Sequence, residues 1–408
     1  MLKECYFFQD LPDLNVKIRQ ARQHILRFFN TNEDNHSVIF TSGATQSLKM
    51  VIENYKFQEN EKLYYLNECH TSAVGLRELV KNFEILDKTT ASQKLSNEKG
   101  GVFTFPAMSN FNGEKFPMED WIQKAHDHGI KVLLDAASFV STNFLDLSKI
   151  HADYICLSFY KIFGLPTGLG ALIVKNSSLK FLQKSYFGGG TVEMHLVNKS
   201  RHVGKSAEEK FEDGTLHYQG ILSLRHGFDL IQKFGGMEKI SLRSHLLARF
   251  LYENLSNLRY KDGSKVVQIY SSNDYTNPDL QGGIVNFNIL QNNGEVFGFT
   301  EFRKIAIHNH LVIRVGCFCN IGSCQKYLGL TDEDIENNHK NGHVCGDNID
   351  IIDGKPTGSI RVSFGHYSTI NDAKLVIKII RDHFMRDFPN GHSIQNGTEG
   401  RLSDSLLN

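Results

Sequence analysis

Residues 37–40, 62–66, 101–105, 132–135, 154–158 and 170–174 form six apolar runs of four or five residues each. Runs so short and so continuously apolar read as buried strands rather than helices. Between several of them lie stretches with helical spacing, 46–54 and 118–128 among them. Ile18, Ala21, Ile25, Leu26 and Phe29 mark out an amphipathic helix over roughly 13–30, with Pro12-Asp13 as its start signal. Alternating strands and helices of this kind predict an α/β domain on a mostly parallel sheet.

The pattern changes near Gly236. A long helical stretch runs from Met237 to about Leu258, followed by strands at 266–270 and 283–289. A helix near 301–308, strands near 311–315 and 359–363, and a last helix over 371–385 complete it. The expected organisation is a large domain over 13–236 and a smaller α+β domain over 237–388. The tail, 389–408, is rich in Asn, Gly and Ser and reads as a flexible linker. Lys+Arg and Asp+Glu both number 45, which argues against a nucleic-acid or anionic-membrane partner. No run approaches the ~20 apolar residues of a membrane span. No targeting segment opens the chain, and seven cysteines in 408 residues do not make a secreted disulfide framework, so a reducing, cytoplasmic setting is expected.

The most informative chemical feature is Lys161. It follows the apolar run 154–158 in Ser158-Phe159-Tyr160-Lys161 and precedes the glycine-rich stretch Gly164-Leu165-Pro166-Thr167-Gly168-Leu169-Gly170. A buried amine loses its proton more readily and can then bond an aldehyde. Asp135 closes another apolar run, Val132-Leu133-Leu134-Asp135. Together they are the pair that pyridoxal phosphate requires, a lysine for the aldehyde and a carboxylate for the pyridine nitrogen. Taken alone, Lys161 also fits a surface lysine, and Asp135 an acid capping a turn. Thr41-Ser42-Gly43-Ala44-Thr45 follows a strand and opens a helix, where free N–H groups and the helix dipole favour a phosphate. An ordinary strand-to-helix turn would read the same way. His70 could stack on a cofactor ring, and Asn110 could bond its phenolic oxygen, although Asn110 lies in a turn-forming stretch.

Arg314-Val315-Gly316-Cys317-Phe318-Cys319-Asn320-Ile321-Gly322-Ser323-Cys324 suggests a mobile, exposed loop with a nucleophilic thiol near an arginine. A metal site of Cys317, Cys319 and Cys324 with His343 or Cys345 is the competing reading, at a spacing unusual for structural zinc. Arg361 lies mid-strand among apolar residues. It requires a carboxylate, from an amino-acid substrate or from a structural ion pair.

These stretches, with Leu134-Asp135-Ala136-Ala137-Ser138, Phe211-Glu212-Asp213-Gly214-Thr215 and Gly354-Lys355-Pro356-Thr357-Gly358-Ser359-Ile360-Arg361, resemble the cysteine desulfurases of the class V aminotransferase-like fold. The resemblance is nearest to the amino-terminal desulfurase domain of the eukaryotic molybdenum cofactor sulfurases and covers nearly all of 13–388. It implies a pyridoxal phosphate-dependent transferase fold and, as in relatives of this fold, a homodimer. Lys161 would hold pyridoxal 5'-phosphate and move the substrate's α proton. Asp135 would pair with the pyridine nitrogen, His70 would stack on the ring, and Asn110 would touch the phenolic oxygen. Ala44, Thr45, Ser158 and Tyr160 would hold the phosphate, and Arg361 would grip the carboxylate of L-cysteine. Cys319 would take the substrate's sulfur as a persulfide and pass it to the molybdenum cofactor that xanthine dehydrogenase and aldehyde oxidase use. A desulfurase or selenocysteine lyase with another acceptor, and an inactive dimerisation partner, are the alternatives. Three departures from the family pattern stand out. By that resemblance, these residues are expected to carry no counterpart of the family's opening segment or of the domain that binds the molybdenum cofactor, and Ser138 and Tyr160 replace a Gln and a His.

Overall fold

The computed structural model describes residues 13–385. Pro12 and the tail 389–408 lie outside the described residues. A seven-stranded sheet comprises β1 (His36–Thr41), β2 (Leu63–Leu66), β3 (Phe83–Leu86), β4 (Val102–Pro106), β5 (Lys131–Asp135), β6 (Tyr154–Ser158) and β7 (Gly170–Lys175). Their order is β1-β7-β6-β5-β4-β2-β3. Only β7 runs against its neighbours β1 and β6; the pairs β2–β3, β2–β4, β4–β5 and β5–β6 are parallel. Helices on its faces, Ala44–Asn54 and Met118–Asp127 among them, bury both sides, as a parallel sheet demands. All six expected strands are present; β3 is additional, half-exposed at the sheet edge and without the continuous apolar run that marks the others.

The opposite edge is protected by an ion pair. Arg22, on the helix Leu14–Phe28, forms two 2.8 Å bonds with Glu212. Glu212 Oε1 accepts from Phe40 N–H at 2.7 Å, and Arg22 Nη1 donates to Val38 O at 2.6 Å. These side chains occupy main-chain groups of β1 that would otherwise template another strand.

A hairpin, β8 (Val192–His195) with β9 (His202–Gly204), precedes the helix Tyr218–Lys233. A second sheet then pairs β10 (Val267–Ile269), β11 (Ile284–Ile289) and β12 (Arg314–Gly316) with β15 (Ser359–Ser363), in the order β10-β11-β15-β12 and wholly antiparallel. A small pair, β13 (Ile351–Ile352) and β14 (Lys355–Pro356), lies between β12 and β15 in the chain. The helix Met237–Ser256 spans two apolar clusters: Met237 and Ile240 pack with the large sheet, Leu247, Ala248, Leu251 and Leu255 with the small one. The expected strand at 311–315 begins only at Arg314. Among the described residues, no helix is long and apolar enough to cross a membrane.

Candidate active site

The parallel strands end on one side of the sheet, and the candidate residues follow those ends, where open α/β sheets form their binding crevices. Ala44 and Thr45 come after β1, His70 after β2, Asn110 after β4, Asp135 closes β5, and Ser158 closes β6. All of them, with Tyr160 and Lys161, line one open cleft of about 100 Å³.

Lys161 is not on the strand itself. β6 stops at Ser158, and Lys161 lies on the short helix Phe159–Phe163 that follows it. Its side chain is partly buried, and among the described residues it makes no ion pair. Asp135 is 8% exposed. Its Oδ1 accepts from Ala137 N–H at 3.0 Å, and among the described residues no cation pairs with it. A buried carboxylate without a cation is costly unless a ligand supplies one. A protonated pyridine nitrogen meets that need, so the cleft fits the expected cofactor.

The turn after β1 is shaped by two glycines. Gly43 has φ 149° and caps the helix Ala44–Asn54. Gly170, at the start of β7, has no room for a side chain: a Cβ would lie 2.5 Å from Gly43 Cα and 2.5 Å from Leu157 O. This close approach brings Ala44 N–H to within 2.9 Å of Ser158 Oγ. The next N–H groups, of Thr45 and Gln46, have no partner one turn back, as at any helix start. A phosphate placed there would meet free N–H donors and the hydroxyls of Thr45, Ser158 and Tyr160.

His70 caps the short helix Thr71–Val74 by accepting from Ser72 N–H at 3.1 Å. Nδ1 is therefore the acceptor, and the proton sits on Nε2. Burial lowers the affinity of the ring for a second proton, and Lys161, Arg314 and Arg361 add to this against the pull of Asp135. A neutral imidazole can lie flat on an aromatic ring without adding charge.

The cysteine segment is held, not mobile. Phe318 (φ 57°) and Cys319 (φ 55°) are both left-handed, and Asn320 N–H bonds Cys317 O at 2.9 Å, closing a tight two-residue turn. Cys319 stands exposed at this turn. Its carbonyl accepts from Thr71 N–H at 2.7 Å and from Thr71 Oγ1 at 3.0 Å. Asn110 Nδ2 donates to Phe318 O at 2.8 Å, and Asn320 Nδ2 donates to Asn110 Oδ1 and to Glu68 O, each at 2.9 Å. The expected loop mobility is thus replaced by a main chain bonded to the residues beside His70. Asn110 spends its amide oxygen and one N–H on this turn, which leaves one N–H for a ligand. Thr71 and Asn320 were not singled out from sequence; the Asn320-to-Ser323 capping spacing was the one available signal.

The helix Ile321–Leu328 fixes the turn from the other side. A Cβ on Gly322 would lie 1.8 Å from Asn67 O, so only glycine permits this contact. Lys326 reaches the fully buried side chain of Glu68 at 2.6 Å. Cys317 and Cys324 form a disulfide, and among the described residues no group of three or more His, Cys, Asp or Glu is placed to hold a metal. The metal reading of these cysteines therefore lacks its ligand cluster.

Arg361 has no structural ion pair among the described residues. Its Nη1 donates to Asn110 O at 2.6 Å, its guanidinium lies 4.7 Å from the Phe318 ring centre, and its buried Nε has no partner. Arg314 is directly opposite on β12. Two arginines side by side, with no carboxylate partner among the described residues, next to Asn110 and Cys319, could together receive an anion.

The sequence matches the aminotransferase class-V family model over residues 12–376. Molybdenum cofactor sulfurase 3 of Aedes aegypti is 42% identical over 391 residues, covering 90% of this chain and 51% of that protein. Molybdenum cofactor sulfurase of Homo sapiens is 39% identical over 405 residues, covering 91% and 46%. The chain therefore spans about half the length of these curated relatives. Among solved structures, the apo cysteine desulfurase of Thermococcus onnurineus NA1 shares the fold at TM-score 0.73 and 20% identity, over 90% of this chain and 84% of that one.

Proposed function

Because the chain belongs to the aminotransferase class-V family, we propose that it is a pyridoxal phosphate-dependent cysteine desulfurase, the sulfur-mobilising part of a molybdenum cofactor sulfurase. L-Cysteine becomes alanine, and its sulfur is carried as a persulfide on Cys319 to the molybdenum cofactor of xanthine dehydrogenase and aldehyde oxidase. In this reading 13–236 is the cofactor-binding domain, 237–388 is the domain that brings the cysteine, and the chain works as a cytoplasmic homodimer. The observation that carries it is the pair of hydrogen bonds from Thr71 N–H and Oγ1 to Cys319 O, which ties the residue bearing the exposed thiol to the residue after His70.

Bound in the cleft, pyridoxal phosphate supplies an aldehyde for the amino group and a ring that withdraws electrons from the α carbon. Lys161 would hold it, and the N–H groups of Thr45 and Gln46 with the Ser158 and Tyr160 hydroxyls would receive its phosphate. Asp135 would accept from the protonated pyridine nitrogen, and His70 would cover the ring. Arg361 grips the carboxylate of L-cysteine, orienting the α hydrogen toward Lys161, which takes it. The Cys319 thiolate attacks the substrate's sulfur. A sulfur–sulfur bond forms as the carbon–sulfur bond breaks, and protonation of the carbon leaves alanine.

Purified chain loaded with pyridoxal phosphate should release alanine from L-cysteine. Lys161→Ala should lose both the bound-cofactor absorption and alanine. Cys319→Ala should keep the absorption and lose alanine. Alanine from the Cys319→Ala protein at the unaltered rate would remove Cys319 from the chemistry.

A further inference from the structure

Three of the cysteines sit within eight residues, and only Cys319 is free. Cys317 is partly buried, with its Sγ 3.2 Å from Thr357 O, and Cys324 is fully buried beside Phe111, Tyr270 and Phe318. The bridge between them encloses the Cys319 turn. A bridge so placed is not needed to anchor that turn. Thr71, Asn110, Asn320 and the Gly322 contact already hold it. In a reducing compartment a disulfide is more often a working dithiol than a staple. The chemistry of the proposed reaction supplies such work. The outer sulfur of a persulfide is at the sulfane level, and to leave as sulfide it must gain two electrons. Cys319 alone cannot give them. Two thiols that close to a disulfide give two.

We propose that Cys317 and Cys324, as a dithiol, reduce the persulfide carried by Cys319 and release its sulfur as sulfide. This rests on the desulfurase reading above. The Cys317 thiolate attacks the outer sulfur of the Cys319 persulfide; a new sulfur–sulfur bond forms on Cys317, and Cys319 leaves as thiolate. The Cys324 thiolate then attacks Cys317 Sγ, the Cys317–Cys324 bond forms, and hydrosulfide leaves. One persulfide and two thiols become one thiol, one disulfide and one hydrogen sulfide, so atoms and electrons balance. Attack on the outer sulfur avoids a Cys317–Cys319 bridge across a single residue. The product is the bridge present in the structure, and a dithiol reductant resets it.

The test is a single turnover of the pyridoxal phosphate-loaded full chain. One sample is reduced with a small dithiol and desalted, the other is kept oxidised, and each receives one equivalent of L-cysteine without further reductant. Alanine, sulfide and the mass of the peptide carrying Cys317 and Cys324 are measured. The reduced form should give about one sulfide per alanine as the bridge appears. The oxidised form should give alanine with at least tenfold less sulfide, its sulfur held on Cys319. Cys324→Ser, reduced, should show the same fall in the sulfide-to-alanine ratio; the wild-type comparison stands even if that variant does not fold. Equal ratios from the two redox forms, or a bridge that excess dithiol leaves intact in the native protein, overturn the proposal and leave the desulfurase reading untouched. Absence of alanine from both forms overturns the desulfurase reading, and the reductive step falls with it.

Discussion

Arg361→Met is expected to leave the fold nearly as stable as before and to cripple the reaction. Burial, with Arg314 next to it, lowers the Arg361 guanidinium to about 10, partly countered by Cys319. Against the ordinary 12.5, the charged form costs about 3 kcal/mol at 1.36 kcal/mol per unit. The side chain recovers ~1.5–3 kcal/mol from the charged hydrogen bond to Asn110 O and ~1 kcal/mol or more from the Phe318 ring. Cost and gain nearly cancel, and methionine fills a similar volume without a charge. A stability change within about 1 kcal/mol follows, read as a melting shift of roughly 2–4 °C. The depressed affinity means that this cost is fully present below pH 10 and is relieved as pH rises from 10 to 12.5. Assays near neutrality therefore see the whole of it. With substrate, the missing guanidinium leaves a carboxylate unpaired, at ~2–5 kcal/mol. That is roughly thirty-fold to several-thousand-fold in kcat/KM. Most of the loss should appear in KM, because the carboxylate is gripped before and during the reaction. Arg361→Lys should fall between the two, keeping the charge and losing the fork. Alanine release measured against L-cysteine concentration, beside a melting curve, decides it. A methionine variant that melts far lower, or that keeps kcat/KM within threefold, refutes the clamp.

Three other perturbations have defined outcomes. His36 is buried, and burial, with Lys175 and His151, lowers it to about 4; the unfolded chain takes up a proton near 6.5 while the folded one resists. Stability should be full above 6.5 and fall by about 3 kcal/mol as pH drops toward 4, and His36→Gln should flatten that part of a denaturation-against-pH curve. Gly322→Ala, whose Cβ would meet Asn67 O at 1.8 Å, should cost ~1–3 kcal/mol in urea unfolding; it should lower alanine release while the absorption of bound cofactor persists, and an unchanged rate would mean that the Cys319 turn does not depend on this contact. Asp135→Asn should retain cofactor yet lose roughly a hundredfold or more in kcat, checked by alanine release at saturating L-cysteine.

The large sheet was legible because burial on both faces leaves its strands as unbroken apolar runs. Asp135, Ser158 and Lys161 were legible because they are polar residues at the ends of such runs. β3 was missed for the converse reason: an edge strand with Phe83 and Ile85 exposed need not be continuously apolar. The helices Tyr218–Lys233, Ile321–Leu328 and Asp332–Lys340 were also missed. The last carries its signal in the capping box of Thr331 and Asp334, whereas the middle one lies inside a glycine- and cysteine-rich stretch that reads as loop. Arg361 stands out in the sequence as an arginine among apolar strand residues, but that sequence could not say whether an internal carboxylate pairs with it; among the described residues none does. The contacts of Thr71 and Asn320 join residues more than two hundred positions apart, and no local pattern encodes such a meeting.

The Cys319 turn shows why the rest could not be local. Two successive left-handed residues would ordinarily be Asn-Gly or Gly-Gly; here they are Phe318 and Cys319, each at ~1–3 kcal/mol of strain. Glycine at either position would relieve the backbone. At 319 it would remove the thiol. At 318 it would remove the ring that lies under Arg361 and packs with Phe111, Tyr270 and Cys324. The strain is offset from outside the turn, by Thr71 on the carbonyl of Cys319, Asn110 on that of Phe318, and Asn320 across to Glu68. Each such bond is worth ~1 kcal/mol, so together they are of the size of the strain they oppose. The turn is therefore stable only when the small sheet is docked on the large one, and docking is what places Cys319 and Arg361 beside a cleft formed at the ends of the large sheet's strands. Fold and reactivity are coupled at this one point: the contact that makes the strained turn affordable is the contact that completes the site.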